Sequence, residues 1–219
     1  MISKAEFWLV MAHYGAQIMP AQIFFYVIGL VLVAWLFLKP GKFINRVVKV
    51  YLMIAFGWNA IVFYFVLASD MAGDTYGNYI IGSVFLIIAG LFGGDVRQQK
   101  MQFSLPAGTE YRWATLVLMG LVFCYPLFGL VFGHDLQSLI MPGTFPCPTV
   151  ALALLLLATA LPQIDWIAYF LLLLCAIPAT LFMQIARYGV YEDTILLLVG
   201  IYGLFVLVKA GLAGNLTAQ

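Results

Sequence analysis

Charge is what this chain has least of. Only 9% of its 219 residues are Asp, Glu, Lys or Arg, against roughly 25% in a soluble globular domain, so water is not its principal solvent. The formal net charge is +1 and the ten basic residues form no block, which removes the electrostatic footprint that nucleic acid requires. Cysteine is also scarce: Cys124, Cys147 and Cys175 make an odd number, two of them within apolar stretches, which argues against a disulfide framework. The two histidines, His13 and His134, lie outside the apolar stretches and offer no pair across a bundle core for haem. There is no Ser, His, Asp order, no glycine loop for phosphate and no nucleotide fingerprint, hence no strong enzyme motif. The opening residues lack the basic start, short apolar stretch and small-residue cleavage site of a secretory signal, so this end is expected to be retained.

Apolar residues are abundant, at 65%. A spanning helix needs about 20 of them in sequence, because no water is present to satisfy its backbone. Seven stretches qualify: 21–38, 47–68, 77–93, 113–132, 148–162, 166–185 and 193–212, the fifth being the shortest. Proline, glycine and charge collect in the short loops between them. No loop is long enough for a core of its own, and no repeat is evident. The expectation is an all-α, polytopic transmembrane bundle forming a single membrane domain over 1–219.

Lysine and arginine set the orientation, since cytoplasmic loops carry the excess. Lys39, Lys42, Arg46 and Lys49 flank the first loop, Arg97, Lys100 and Arg112 the third, and Lys209 lies near the C-terminus, while only Lys4 and Arg187 fall on the other side. Seven spans then put the N-terminus outside and the C-terminus in the cytoplasm. Before the first span, Ser3 and Glu6 have capping-box spacing, and Phe7, Val10, Met11 and Tyr14 recur at helical intervals. That pattern predicts an amphipathic helix over 2–18 lying on the outer surface.

The topology sorts the chemistry. His13, Asp70, Asp74, His134, Asp135, Cys147, Glu192 and Asp193 all fall on the outer side, where imidazole, carboxylate and thiolate together suit zinc, copper or nickel. His13, His134, Asp135 and Cys147 are the candidate ligands, a transition metal ion the candidate cofactor, and the adjacent His134 and Asp135 a candidate orienting pair. None of the spacings fixes ligand geometry by itself, and solvated outer loops rich in acids also follow from the topology rule. In "PGTFPCP", Pro148 fits a first helical turn and places Cys147 at or beside the N-cap, where the helix dipole favours thiolate. Pro146, Pro148 and Thr149 equally suit a cramped structural turn. Within the spans, Asn59 is the notable polar residue, and Pro126 and Pro178 interrupt the fourth and sixth. No ionisable side chain sits at mid-depth, which counts against a coupled transporter. Gly90 with Gly94, and Gly129 with Gly133, have the spacing that lets helices approach closely.

Two stretches, "HYGAQIMPAQIFFYVIGL" at 13–30 and "PGTFPCPTVALALLLL" at 142–157, resemble the opening and the Pro-Cys-Pro-Thr segment of a family of bacterial multi-pass membrane proteins known only as a domain of unknown function. Tyr14, Pro20, Ala21 and Gln22 match; Met19 stands where the family tends to have tryptophan, and the tyrosine and histidine that close the family's second span have no counterpart after Tyr64. The resemblance implies a compact helical fold in a bacterial cell (inner) membrane and supplies no activity. Together these readings predict a non-catalytic integral membrane protein, an accessory or stabilising subunit packed against membrane partners or further copies of itself in the lipid bilayer. The alternative is transport or capture of a small solute or transition metal through the outer cluster, and a third is an enzyme with Cys147 as nucleophile, which needs a nearby base and a pocket.

Overall fold

The computed structural model describes residues 3–67 and 75–212, and among them the chain is helical or irregular, with no strand. Helix α1, Lys4–Leu38, starts with the expected capping box: Glu6 N donates to the Ser3 hydroxyl, and Ser3 N donates to the Glu6 carboxylate at 2.7 Å. The separate surface helix over 2–18 is not formed. Instead α1 runs through Pro20 without a break for 35 residues, about 52 Å at helical rise. A proline inside a helix removes one backbone bond and crowds the preceding turn, but both sides of Pro20 are fastened to one stretch of chain. Tyr14 donates its hydroxyl to the Thr144 carbonyl at 2.7 Å, and Gln22 donates to the Leu139 carbonyl at 2.6 Å. Gly15 permits this approach, because a Cβ there would lie 1.8 Å from the Gln137 carbonyl oxygen.

Helix α2, Lys42–Trp58, continues as a π-helical stretch, Asn59–Leu67. After α3, Thr75–Gln98, come α4, Thr109–Phe123, and α5, Tyr125–Val131, which meet at Cys124 with a bend of 58°. Pro126 lies in the first turn of α5, so the interruption expected in the fourth span is present. Gly133, with φ +83°, lies beyond the helix, so it makes no helical pair with Gly129. Helix α6 is Pro146–Thr159; α7, Trp166–Leu174, continues through Pro178 as a second π-helical stretch, Cys175–Tyr188; and α8 is Thr194–Leu212. In the wide turns around Pro178, the Thr180 hydroxyl donates to the Cys175 carbonyl at 3.1 Å.

Five helical stretches are long and apolar enough to cross a membrane: Lys4–Leu38, Lys42–Leu67, Tyr76–Gln98, Trp166–Tyr188 and Tyr191–Leu212; the bent pair α4 and α5 makes a sixth if counted as one. The fifth stretch read from sequence, 148–162, is not among them. Helix α6 has 14 residues, about 21 Å, short of the roughly 30 Å hydrocarbon core. Twelve of those residues are buried, and α6 packs against α2, α4, α7 and α8. A helix apolar on every side belongs at the centre of a bundle. The irregular chain before it, from Ser138 to Phe145, is largely buried as well, as non-helical backbone must be if it lies within a bilayer.

The opposite end is held by charge. Lys49, read from sequence as a loop cation, is fully buried in α2, its Nζ 2.5 Å from Oδ2 of Asp95 on α3. Asp95 also accepts from the backbone N–H groups of Lys100 and Met101, while Asn45 exchanges two hydrogen bonds with the backbone of Phe103. The chain leaving α3 is thereby folded back beneath α2.

Candidate functional site

The end of the bundle opposite Lys49 contains a chamber of about 380 Å³. Its walls come from both π-helical stretches (Phe63 and Tyr64; Cys175 to Tyr188), the first turns of α1, α3, and the start of α6. Phe7, Val10, Phe85, Phe145, Val150 and Leu196 make it predominantly apolar; Thr180, Gln184 and Arg187 are polar and share one wall. Wide helical turns rotate side chains out of the usual register, and such turns recur at functional sites.

Cys147 joins this chamber to a polar cluster. It occupies the second position of α6, which starts two residues earlier than expected from sequence, with Phe145 and not Cys147 as its N-cap, and its thiol faces the buried Asp193 carboxylate. Asp193 Oδ1 accepts from the Tyr125 hydroxyl at 3.3 Å. The neighbouring Glu192, in the same short turn before α8, has Oε1 3.0 Å from His134 Nε2, and its other oxygen has no hydrogen-bond partner among the described residues. His134 is covered by the Trp8 ring, stacked at 4.0 Å and 24°. Trp8 in turn donates to the Tyr188 carbonyl at 3.3 Å, and Phe7 stacks on the Tyr188 ring at 4.3 Å. The start of α1 is thus clasped to the end of the second π-helical stretch.

The four candidate ligands do not meet. His13 hydrogen-bonds Gln17 one turn along α1 at 2.7 Å, and five residues beyond Trp8 it lies about 140° around the helix from the face that covers His134. Asp135 is exposed and begins the turn Leu136–Ser138, so the partner of His134 is Glu192 and not its sequence neighbour. Among the described residues no three His, Cys, Asp or Glu side chains converge to hold a metal ion; Asp70 and Asp74 lie outside the described residues. The charged groups facing Cys147 are the carboxylates of Asp193 and then Glu192, the opposite of the cationic surroundings that activate a nucleophilic thiol. Sequence reasoning grouped Glu192 and Asp193 with His134 and Cys147 at one end of the bundle, as found, but did not select them. Their signal was two adjacent acids at the start of an apolar stretch. Tyr125, beside Pro126, gave none.

One family's sequence profile matches residues 4–218, nearly the entire chain. The chain belongs to DUF6064, a family of unknown function. No curated protein and no solved structure matches it. In this DUF6064 chain the Pro-Cys-Pro-Thr segment has a clear structural duty. The Thr149 hydroxyl donates to the Phe145 carbonyl at 2.6 Å and accepts from Gly143 N at 2.8 Å. Asn59 donates to the Gly143 carbonyl at 3.0 Å. Gly143 has φ +98° and lies against Phe25 and the Tyr51 hydroxyl, a backbone position and a space that admit only glycine. Pro146 and Pro148 sit where a helix's first turn has no use for their missing N–H groups. Within that fixed turn, only Cys147 faces both the chamber and the cluster.

Proposed function

We propose that this DUF6064 protein is a non-catalytic protein of the bacterial cell membrane, with its N-terminus outside and its C-terminus in the cytoplasm, that captures a small, largely apolar molecule in the chamber. The chamber carries the reading. Small-molecule sites are concave, roughly 300–1,000 Å³, mostly apolar, with a few placed polar groups, and a volume of about 380 Å³ with one polar wall fits that description. Wide π-helical turns such as those lining it occur frequently at functional sites. The lysine and arginine distribution supports the orientation, with the short, buried α6 carrying the chain across between the bent pair and α7 so that the passages are odd in number, which puts the chamber on the outer side. A neutral apolar dye, N-phenyl-1-naphthylamine, added to the protein in lipid nanodiscs, tests it. Fluorescence above that of empty nanodiscs, lost in Ala179→Trp, is the expected result; Ala179 lines the chamber from an exposed position, so filling it there spares the core. Fluorescence equal to that of empty nanodiscs would sink the reading.

A second reading, association with membrane partners or with another copy, is favoured by Gly90 and Gly94. Both are exposed on α3, and a Cβ at either would touch nothing within 4 Å, so their seam is open to another helix. Gly90→Ile with Gly94→Ile should then abolish association seen by crosslinking in the membrane.

A further inference from the structure

The spread of the chamber's lining and its polar wall define a ligand more narrowly than apolarity does. Cys175 and Arg187 both line it, and they are twelve residues, more than two turns, apart on one π-helical stretch. Lining residues spread over several turns of one helix leave room for an extended chain. The chamber's two ends differ chemically. Around Cys175, Phe85 and Val150 the walls are apolar. At the other end Gln184 and Arg187 lie one turn apart, half-buried, beside the end of the helix.

Neither of these two is satisfied by the protein. Arg187 pairs with no carboxylate among the described residues; its guanidinium lies over the neighbouring Tyr188 ring at 5.3 Å. The Gln184 Oε1 is buried and lacks a hydrogen-bond partner. A guanidinium presents five donors in a planar fork suited to carboxylate or phosphate, whereas the Gln184 Oε1 is an acceptor and takes only a donor group.

Resting on the capture reading above, we infer that the chamber's ligand is an amphiphile with an anionic head, the head bound by the Arg187 guanidinium and the chain lying along the second π-helical stretch toward Cys175. The head is an oxyanion, carboxylate or phosphate, at the membrane surface, and the tail enters between the two π-helical stretches. Two sources supply that chemistry: a free fatty acid, and an acidic phospholipid whose one chain enters the chamber.

Photolabelling of the full chain in phosphatidylcholine nanodiscs tests this with two probes that differ only in the head: a dodecanoic acid and a dodecanol, each with a diazirine near the chain end. The acid should label peptides carrying Cys147, Val150 or Cys175 at least fivefold more than the alcohol does. Arg187→Gln should remove that preference and Arg187→Lys should retain it. Competition by unlabelled dodecanoate, or by phosphatidylglycerol placed in the nanodisc, supports the inference in either case and identifies the source. Equal labelling by acid and alcohol, unchanged in Arg187→Gln, overturns the anionic head while leaving capture standing. Absence of chamber labelling by both probes overturns the capture reading and this inference with it.

Discussion

His134 holds Nε2 3.0 Å from Oε1 of Glu192, a residue 58 positions away, while its neighbour Asp135 points into solvent. The Glu192 side chain is 1% exposed and that of His134 18%, so the imidazole is both the partner of a buried carboxylate and its cover. The same imidazole carries the Trp8 ring. Three elements, α1, the loop after α5 and the turn before α8, therefore close on one side chain.

Removing that imidazole leaves a buried carboxylate unpaired. Breaking a fully buried pair costs about 3–5 kcal/mol; with His134 partly exposed, about 1–3 kcal/mol is expected for His134→Ala. Asp135→Ala should stay within about 0.5 kcal/mol, as surface substitutions do. Thermal melting of the two variants in the same detergent checks the contrast. A chelator added to the wild-type protein should leave the melting temperature unchanged, since no three donors converge among the described residues; a clear drop would restore the metal reading.

The glycines separate contact within the fold from contact outside it. Gly15→Ala puts a methyl group 1.8 Å from a backbone carbonyl, which cannot retreat as a flexible side chain would, and should destabilise by several kcal/mol. Gly90→Ala and Gly94→Ala meet open space and replace glycine in a helix, which favours the folded state by up to about 1 kcal/mol. Melting temperatures of the three variants should therefore move in opposite directions.

At the far end, Lys49→Met strands the Asp95 carboxylate, which also organises the backbone at Lys100 and Met101. A loss of about 3–5 kcal/mol is expected, much of it recovered in Lys49→Met with Asp95→Leu, because an apolar pair needs no compensating charge. Limited proteolysis reads the same change directly. Cleavage between Gln99 and Phe103 should appear in the single variant and fade in the double one.

Much of this was legible in the sequence, and the misses share a cause. Hydropathy located the membrane-length helices because the bilayer requires long apolar runs whatever their packing. It also gave α6 a full span's standing, although α6 has only 14 residues and is buried in the bundle, since burial in protein and burial in lipid select the same leucines and alanines. The break expected between a surface helix over 2–18 and a span from 21 does not occur, because Tyr14 and Gln22 hold the two parts to one stretch of chain through bonds to residues more than a hundred positions away. The cluster was legible by side and not by partner. Topology put His134, Cys147, Glu192 and Asp193 at one end, but only packing decides that His134 meets Glu192 and Cys147 meets Asp193. The chamber was not legible at all, because it depends on wide helical turns that hydropathy does not register.

Two of the three cysteines give the chamber a built-in reporter. Cys147 and Cys175 line it and Cys124, at the bend between α4 and α5, does not. A small neutral reagent, methyl methanethiosulfonate, should modify all three, with peptide-resolved mass spectrometry reading each rate. An occupant of the chamber should slow Cys147 and Cys175 in proportion to occupancy, about tenfold at ten times its Kd, and leave Cys124 unchanged. Ala179→Trp should slow the same two without any ligand, since the indole occupies the space the reagent crosses. Equal protection of all three would mean that the occupant tightens the whole bundle. Protection of Cys147 without Cys175 would mean that the occupant does not lie along the second π-helical stretch as far as Cys175, which a chain in the proposed position does not allow.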